Sequence, residues 1–175
     1  MVFTQLLING LIGGSIYALI ACGFGFIYTT NRFIHFAHGA TVTVAAYIFY
    51  WMISILAWPF AIAVILTILA ASLFGFLMHL LIYMPLKRRN SSSTILLIAS
   101  IGIMIFFNNL IQLIFGAEVK IIYVFENAKG INLFGAHITI LQITMILIVF
   151  AILAGLFLLR RYSKLGKLMQ AVADN

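Results

Sequence analysis

Residues 60–84, FAIAVILTILAASLFGFLMHLLIYM, form 25 consecutive positions without a charged side chain. About 20 apolar residues in helical geometry cross a hydrocarbon core of roughly 30 Å. A run this long and this apolar is therefore a membrane span, since a surface helix of a water-soluble domain would show one polar face and a buried core helix is usually shorter. It is bracketed by Trp58-Pro59 before it and by Pro85, then Lys87, Arg88 and Arg89, after it. Pro85 is expected to close the helix, because proline lacks an N–H and collides with the preceding turn.

Four further runs of this kind lie to either side, at residues 5–29, 39–57, 94–115 and 138–159. In lipid every backbone N–H and C=O must be paired within the protein, which restricts spanning segments to helices or closed barrels. None of the runs alternates polar and apolar residues as a barrel strand would. The expectation is an all-α polytopic transmembrane bundle of about five spans. Composition agrees: 65% of residues are hydrophobic and 7% charged, against about 25% charged in an ordinary soluble domain. Lipid is the main solvent, so the net charge of +7 is a topology signal rather than a nucleic-acid signal. The first run lacks a basic leader and is too long for a signal-peptide core, so it is read as a retained helix.

The basic residues orient the bundle. Arg32, then Lys87, Arg88 and Arg89, then Arg160, Arg161, Lys164 and Lys167 follow the first, third and fifth spans, and alternation places them on one side. Only Lys120 and Lys129 fall on the other, beside Glu118 and Glu126. The positive-inside rule makes the first side cytoplasmic, with the N-terminus outside and the C-terminus inside. Trp51, Trp58, Tyr50 and Tyr123 then lie near the outer interface. The second span carries an alternative, a re-entrant or broken helix, which would spoil the charge segregation.

Absences narrow the function. None of the acidic residues lies inside a span. Buried carboxylates are the usual relays of proton- and ion-coupled carriers. The lone cysteine, Cys22, excludes a disulfide framework within the chain. The chain has no GxxxxGK[ST] phosphate-binding loop, so energy for uphill transport must come from a partner. No enzyme activity, cofactor or metal site is expected. His35 and His38 share a helical face, but no carboxylate lies in that half of the chain to complete a metal site.

Polar and small residues within the spans supply the candidate positions. Gly10, Gly14 and Ala18 recur at spacing four, as do Ala71 and Gly75, and Ala151 and Gly155. Such spacing lets helix backbones approach closely, inside the bundle or at a subunit seam. Ser100, Asn108 and Gln112 share one face of the fourth span, with Asn109 beside them. They line a translocation path or hydrogen-bond between helices. Residues 160–175 differ in kind: Leu165, Leu168, Met169 and Val172 form one stripe, with Lys164 and Lys167 off it. This is a basic amphipathic segment suited to a membrane surface or to docking a partner.

Several segments resemble one family. They are the run from Gln5 to Ala21 containing Asn9 and Gly14, then Asn31, then His35-Phe36-Ala37-His38-Gly39. Pro85-Leu86-Lys87, Ile98-Ala99-Ser100-Ile101-Gly102 and Asn108-Asn109 continue the likeness, which ends with Leu165-Gly166-Lys167 and Gln170-Ala171-Val172-Ala173-Asp174-Asn175. Together these are similar to bacterial branched-chain amino acid ABC transporter permeases, more to the H-type subunit than to its M-type partner. The resemblance implies a multi-pass permease subunit of the bacterial inner membrane. It would pair with a second permease, two ATP-binding cassette subunits and a soluble substrate-binding protein. It also implies that the segment with Gly166, Ala171, Ala173 and Asp174 belongs to the loop that docks on the ATPase. Family members are considerably longer, so the chain is expected to be a truncated frame or a fragment, unable to transport alone. The alternatives are a non-transporting scaffold or assembly subunit, a passive facilitator, and a related importer of urea or amides.

Overall fold

A computed structural model describes residues 2–122, 130–133, 136–164 and 166–168. Its helices divide between two units, Met1–Arg32 with Phe125–Asn175, and Phe33–Val124. Among the described residues, five helical stretches are long and apolar enough to cross a membrane: Val2–Asn31, Ala37–Ile55, Phe60–Arg88, Ser93–Phe115 and Ile140–Tyr162.

In the first unit, helix α1 (Val2–Asn31) packs against helix α6 (Ile140–Tyr162). Between them in sequence lies a hairpin, β1 (Gly130–Leu133) and β2 (Ala136–Thr139), antiparallel with Gly130 opposite Thr139 and Leu133 opposite Ala136. The run expected to open a helix at 138 thus begins as strand, and the helix starts two residues later. The cause is local. Thr139 is extended and caps α6: its hydroxyl accepts from the Gln142 N–H at 3.3 Å, while Gln142 Oε1 accepts from the Thr139 N–H at 2.9 Å. This reciprocal pair satisfies two donors that a helix start otherwise leaves open. The Gln5 side chain closes the free edge of β2, accepting the His137 N–H at 2.8 Å and donating to its carbonyl at 3.2 Å. A bare strand edge would leave these groups unpaired.

In the second unit, α2 (Ala37–Tyr50) packs on both α3 (Phe60–Met78) and α5 (Ser93–Phe115). Ala37, Ala40 and Ala63 are wholly buried, and a Cβ on Gly39 would meet only Met104 Sδ at 3.8 Å. Small side chains let these helices come close. α5 turns Leu96, Ser100, Ile103 and Ile111 inward, a stripe at helical spacing. The cluster at its heart is Phe33, Ala37, Met78, Tyr83, Leu96 and Ile103.

α2 runs on through a π-helical turn at Trp51–Ile55, so the second segment is one unbroken helix. α3 likewise runs on through a π-helical turn at His79–Tyr83 into α4 (Met84–Arg88). Pro85 therefore does not close the helix. The wide turn, in which the Met84 N–H reaches the His79 carbonyl, supplies the slack that lets proline sit in a continuing helix. The true stop comes after Arg89. Asn90 takes the left-handed conformation, with φ 54°, and its N–H and that of Ser91 bond back to Lys87 and Leu86 at 3.0 and 3.2 Å. Asparagine tolerates this conformation better than most residues. Ser92 then caps α5.

Candidate functional site

The residues that enter α2 are fastened to the middle of the unit by one side chain. Ser100 is 0% exposed. Its hydroxyl accepts the Phe36 N–H at 3.2 Å and lies within donating distance of the Leu97 carbonyl, 2.7 Å, and the Ile34 carbonyl, 3.3 Å. The Phe36 N–H stands at the entry to α2, where a helix leaves its first donors open, so a hydroxyl from α5 stands in for the missing turn. Ser100 thus hydrogen-bonds from α5 to the segment that enters α2.

Around this latch the same segment packs by its rings. His35 meets Tyr83 edge-on at 4.7 Å and Phe33 at 5.7 Å, and Phe33 lies 5.5 Å from Tyr83. His35 falls between the spans, and its pKa is pulled down from 6.5 to about 4, first by burial and then by His38 and Lys87 nearby. Removing a cation from water favours the neutral ring.

The other polar residues of α5 separate. Asn109 is exposed and donates to the Ile105 carbonyl of its own helix at 2.7 Å. Gln112 is exposed. Asn108 alone of these turns a polar atom inward: its Oδ1 is buried and, among the described residues, without a hydrogen-bond partner. The same holds for Thr67 Oγ1 on α3, for Tyr83 Oη and for His35 Nδ1. Buried polar atoms are nearly always paired, so this set marks where the unit departs from an ordinary core. Sequence reading missed Thr67 and Tyr83. A signal existed for Thr67, which falls on the same helical stripe as Ala63 and Phe74, whereas nothing in the apolar run singled out Tyr83.

The family-motif positions distribute over both units. In the first, Asn9 Oδ1 accepts from Gln5 at 3.2 Å, and Asn31 donates to the Ile27 carbonyl at 3.2 Å. Gly14 is exposed, and an added Cβ at Gly10, Gly13 or Gly14 would meet nothing within 4 Å among the described residues. In the second unit His38 is half-buried, its N–H bonded to the His35 carbonyl at 3.1 Å, and Gly39 faces Met104. Of the expected coupling positions, Gly166 is described while Ala171, Ala173 and Asp174 lie outside the described residues, as do Leu165, Met169 and Val172 of the amphipathic stripe. Ser163 ends α6 in an extended conformation and starts a new turn, its Oγ accepting the Gly166 N–H at 2.9 Å. A Cβ on Gly166 would run into the main chain of Arg160, so only glycine fits this corner. Among the described residues no three His, Cys, Asp or Glu side chains are grouped to hold a metal ion.

Five long apolar helices among the described residues, with a sparse set of buried polar atoms, define a multi-pass α-helical membrane protein. The chain belongs to the family described as branched-chain amino acid transport system / permease component, whose profile it matches over residues 6–175. That family consists of membrane permease components and not of enzymes. The chain is 33% identical to the high-affinity branched-chain amino acid transport system permease protein BraD of Pseudomonas aeruginosa, over 99% of its own length and 60% of the relative's. It is 31% identical to the LivH permease protein of the corresponding system in Salmonella typhimurium, and 30% to that of Escherichia coli K12, each over 99% of this chain and 59% of the relative. The chain thus spans about three fifths of the length of these relatives. No solved structure matches it significantly.

Proposed function

We propose that the chain acts as a membrane-spanning permease subunit of an ATP-driven importer for branched-chain or related amino acids. The observation that carries this reading is the family match across residues 6–175, which takes in the first candidate span from residue 6 onward and the other four whole. The chain has no nucleotide-binding loop, so ATP hydrolysis falls to separate subunits. Two ATP-binding cassette subunits, a second permease and a soluble substrate-binding protein complete the assembly, which sits in the bacterial inner membrane. The charge distribution supports an outside N-terminus, with Lys87, Arg88, Arg89 and the segment after α6 facing the cytoplasm. There the turn begun at Ser163 starts the surface that docks the ATPase.

Within the second unit, Asn108 and Thr67 are the polar groups best placed to serve a translocation path, since both turn unpartnered oxygens inward. Gln112 and Asn109 are less suited, because both are exposed and Asn109 is already bonded within its own helix.

The test is uptake of labelled leucine into vesicles that contain the chain with its co-encoded ATPase, permease and binding protein. Uptake that requires ATP and the binding protein, and that urea or acetamide does not compete, supports the proposal. Uptake that persists without ATP identifies a facilitator instead. Co-purification with the other subunits without any uptake identifies a scaffold.

A further inference from the structure

At the end of the second unit remote from the Lys87-Arg88-Arg89 turn, the C-terminal part of α2 and the chain that follows α5 border an open pocket of about 390 Å³. That size falls at the lower end of the range of small-molecule sites. One wall is apolar and aromatic: Ala46 and Tyr47 with Tyr50 on α2, and Val119 opposite. The tyrosines are held by a ring behind them, Phe115 lying 4.9 Å from Tyr47 and 6.2 Å from Tyr50. The other wall carries Glu118 and Lys120, the charged residues that line the pocket among the described residues. Their Oε2 and Nζ atoms are 3.8 Å apart, too far for a hydrogen bond, so the pair attracts without closing. Glu118 is 90% exposed and Lys120 25%, so the cation is the more committed to the pocket.

We propose that this pocket binds the free zwitterion of an α-amino acid with an apolar side chain. The ligand's carboxylate lies on Lys120, its ammonium on Glu118, and its side chain against Ala46, Val119 and the tyrosine faces. An open pair of opposite charges beside an apolar wall is complementary to a molecule with two adjacent opposite charges and one apolar arm. The two dipoles align head to tail, and a ring face near the ammonium adds a cation–π contribution. A simple carboxylate or amine satisfies only half of the pair. The choice of ligand rests on the importer reading above, but the pocket's geometry does not. On the proposed orientation the site faces the outer side, where it would receive substrate before translocation. Because both charges touch solvent, binding is weak and on the order of millimolar.

The decisive measurement is saturation-transfer NMR on the full chain in nanodiscs titrated with L-leucine. Saturable binding is expected, with N-acetyl-L-leucine and leucinol, each lacking one charge, several-fold weaker. Lys120→Gln should weaken leucine about fivefold, and Glu118→Gln about twofold, in line with their exposure. Exchanging the two charges, Glu118→Lys with Lys120→Glu, should restore most of the affinity by reversing the ligand's head group. No saturable leucine binding, equal binding of N-acetyl-L-leucine, or wild-type affinity in Lys120→Gln would each overturn the proposal. The assembled importer separates this inference from the reading it rests on. ATP-driven uptake whose KM rises in Lys120→Gln supports both, whereas uptake with unchanged KM removes the pocket and leaves the permease. Leucine binding intact with no ATP-driven uptake removes the importer and leaves the pocket.

Discussion

Replacing Ser100 by alanine takes away one oxygen, and the consequence should appear some 64 residues earlier in the chain, at Phe36. The Phe36 N–H has Ser100 Oγ as its acceptor at 3.2 Å, and Ser100 itself is fully buried. Losing a buried acceptor while the donor stays costs about 1–3 kcal/mol in general. Hydrogen bonds between membrane helices measure about 0.6 kcal/mol on average and reach about 1.7. The orphaned group here is a main-chain N–H at a helix entry, which has no rotamer to search for another partner. The upper part of the membrane range therefore applies, about 1–2 kcal/mol, which is a factor of about 5–30 in a local opening equilibrium. Deuterium exchange of the peptides covering residues 33–40, in nanodiscs, should accelerate by that factor while the peptides of α3 stay unchanged. Ser72→Ala is the control, because the Ser72 hydroxyl only donates back to the Ile68 carbonyl at 2.7 Å, and its loss leaves no donor orphaned. Unaltered exchange at 33–40 in Ser100→Ala, or an equal response to Ser72→Ala, would refute the latch.

Three further outcomes are expected. His35 is held neutral by its surroundings, its pKa lying at about 4 against an ordinary 6.5. The folded second unit thus binds fewer protons than the unfolded chain, so its stability is complete above about pH 6.5 and declines as pH falls towards 4. Unfolding midpoints followed over that interval should lose this slope in His35→Phe and keep it in His38→Phe. Gly166→Ala places a methyl group against the Arg160 main chain, an overpacking of about 1–3 kcal/mol confined to the turn after α6. Co-purification of the ATPase should fall severalfold while global thermal stability barely moves, and Gly155→Ala, whose Cβ meets nothing within 4 Å, should affect neither. Finally, in a Cys22→Ser background, Asn90→Cys should react with an impermeant thiol reagent only from the cytoplasmic side and Ala117→Cys only from the outside. The opposite pattern would invert the proposed topology.

The spans were legible because lipid imposes a simple rule on composition, and a window of 20 residues without charge satisfies it or does not. Their ends were less so. Pro85 reads as a stop, but a π-turn five residues long, which leaves no mark in HLLIY, carries the helix past it. The start of α6 was legible in principle, since Thr139 and Gln142 stand at capping-box spacing, but both lie in a run that continues apolar on either side. The hairpin was hidden for the same reason: Ala136–Thr139 becomes strand through its pairing with β1 and the Gln5 amide, and Gln5 is 132 residues from His137.

The candidate site posed a harder problem, because a hydroxyl or amide in a membrane helix can satisfy itself. Thr30, Thr41, Thr43, Ser72, Thr144 and Asn109 all donate to a carbonyl one turn back in their own helix. Each looks, in sequence, like Ser100 or Asn108. The difference is one of surroundings. Leu97 could satisfy Ser100 alone, yet the Phe36 N–H and the Ile34 carbonyl converge on the same oxygen, because this segment lies between α1 and α2. Asn108 and Asn109 are neighbours, yet a rotation of about 100° between successive residues sends one amide outward, where it folds back on Ile105, and turns the other's oxygen inward to no partner. A buried polar atom in a medium without water carries a cost of several kcal/mol if nothing pairs it. That cost, rather than polarity itself, separates Asn108 and Thr67 from the other polar residues of these spans. It also makes a direct demand: if the two serve translocation, Asn108→Leu and Thr67→Val should leave the fold as stable or more so, while leucine uptake by the assembled importer falls. Stability lost in step with uptake would return both residues to the packing of the bundle.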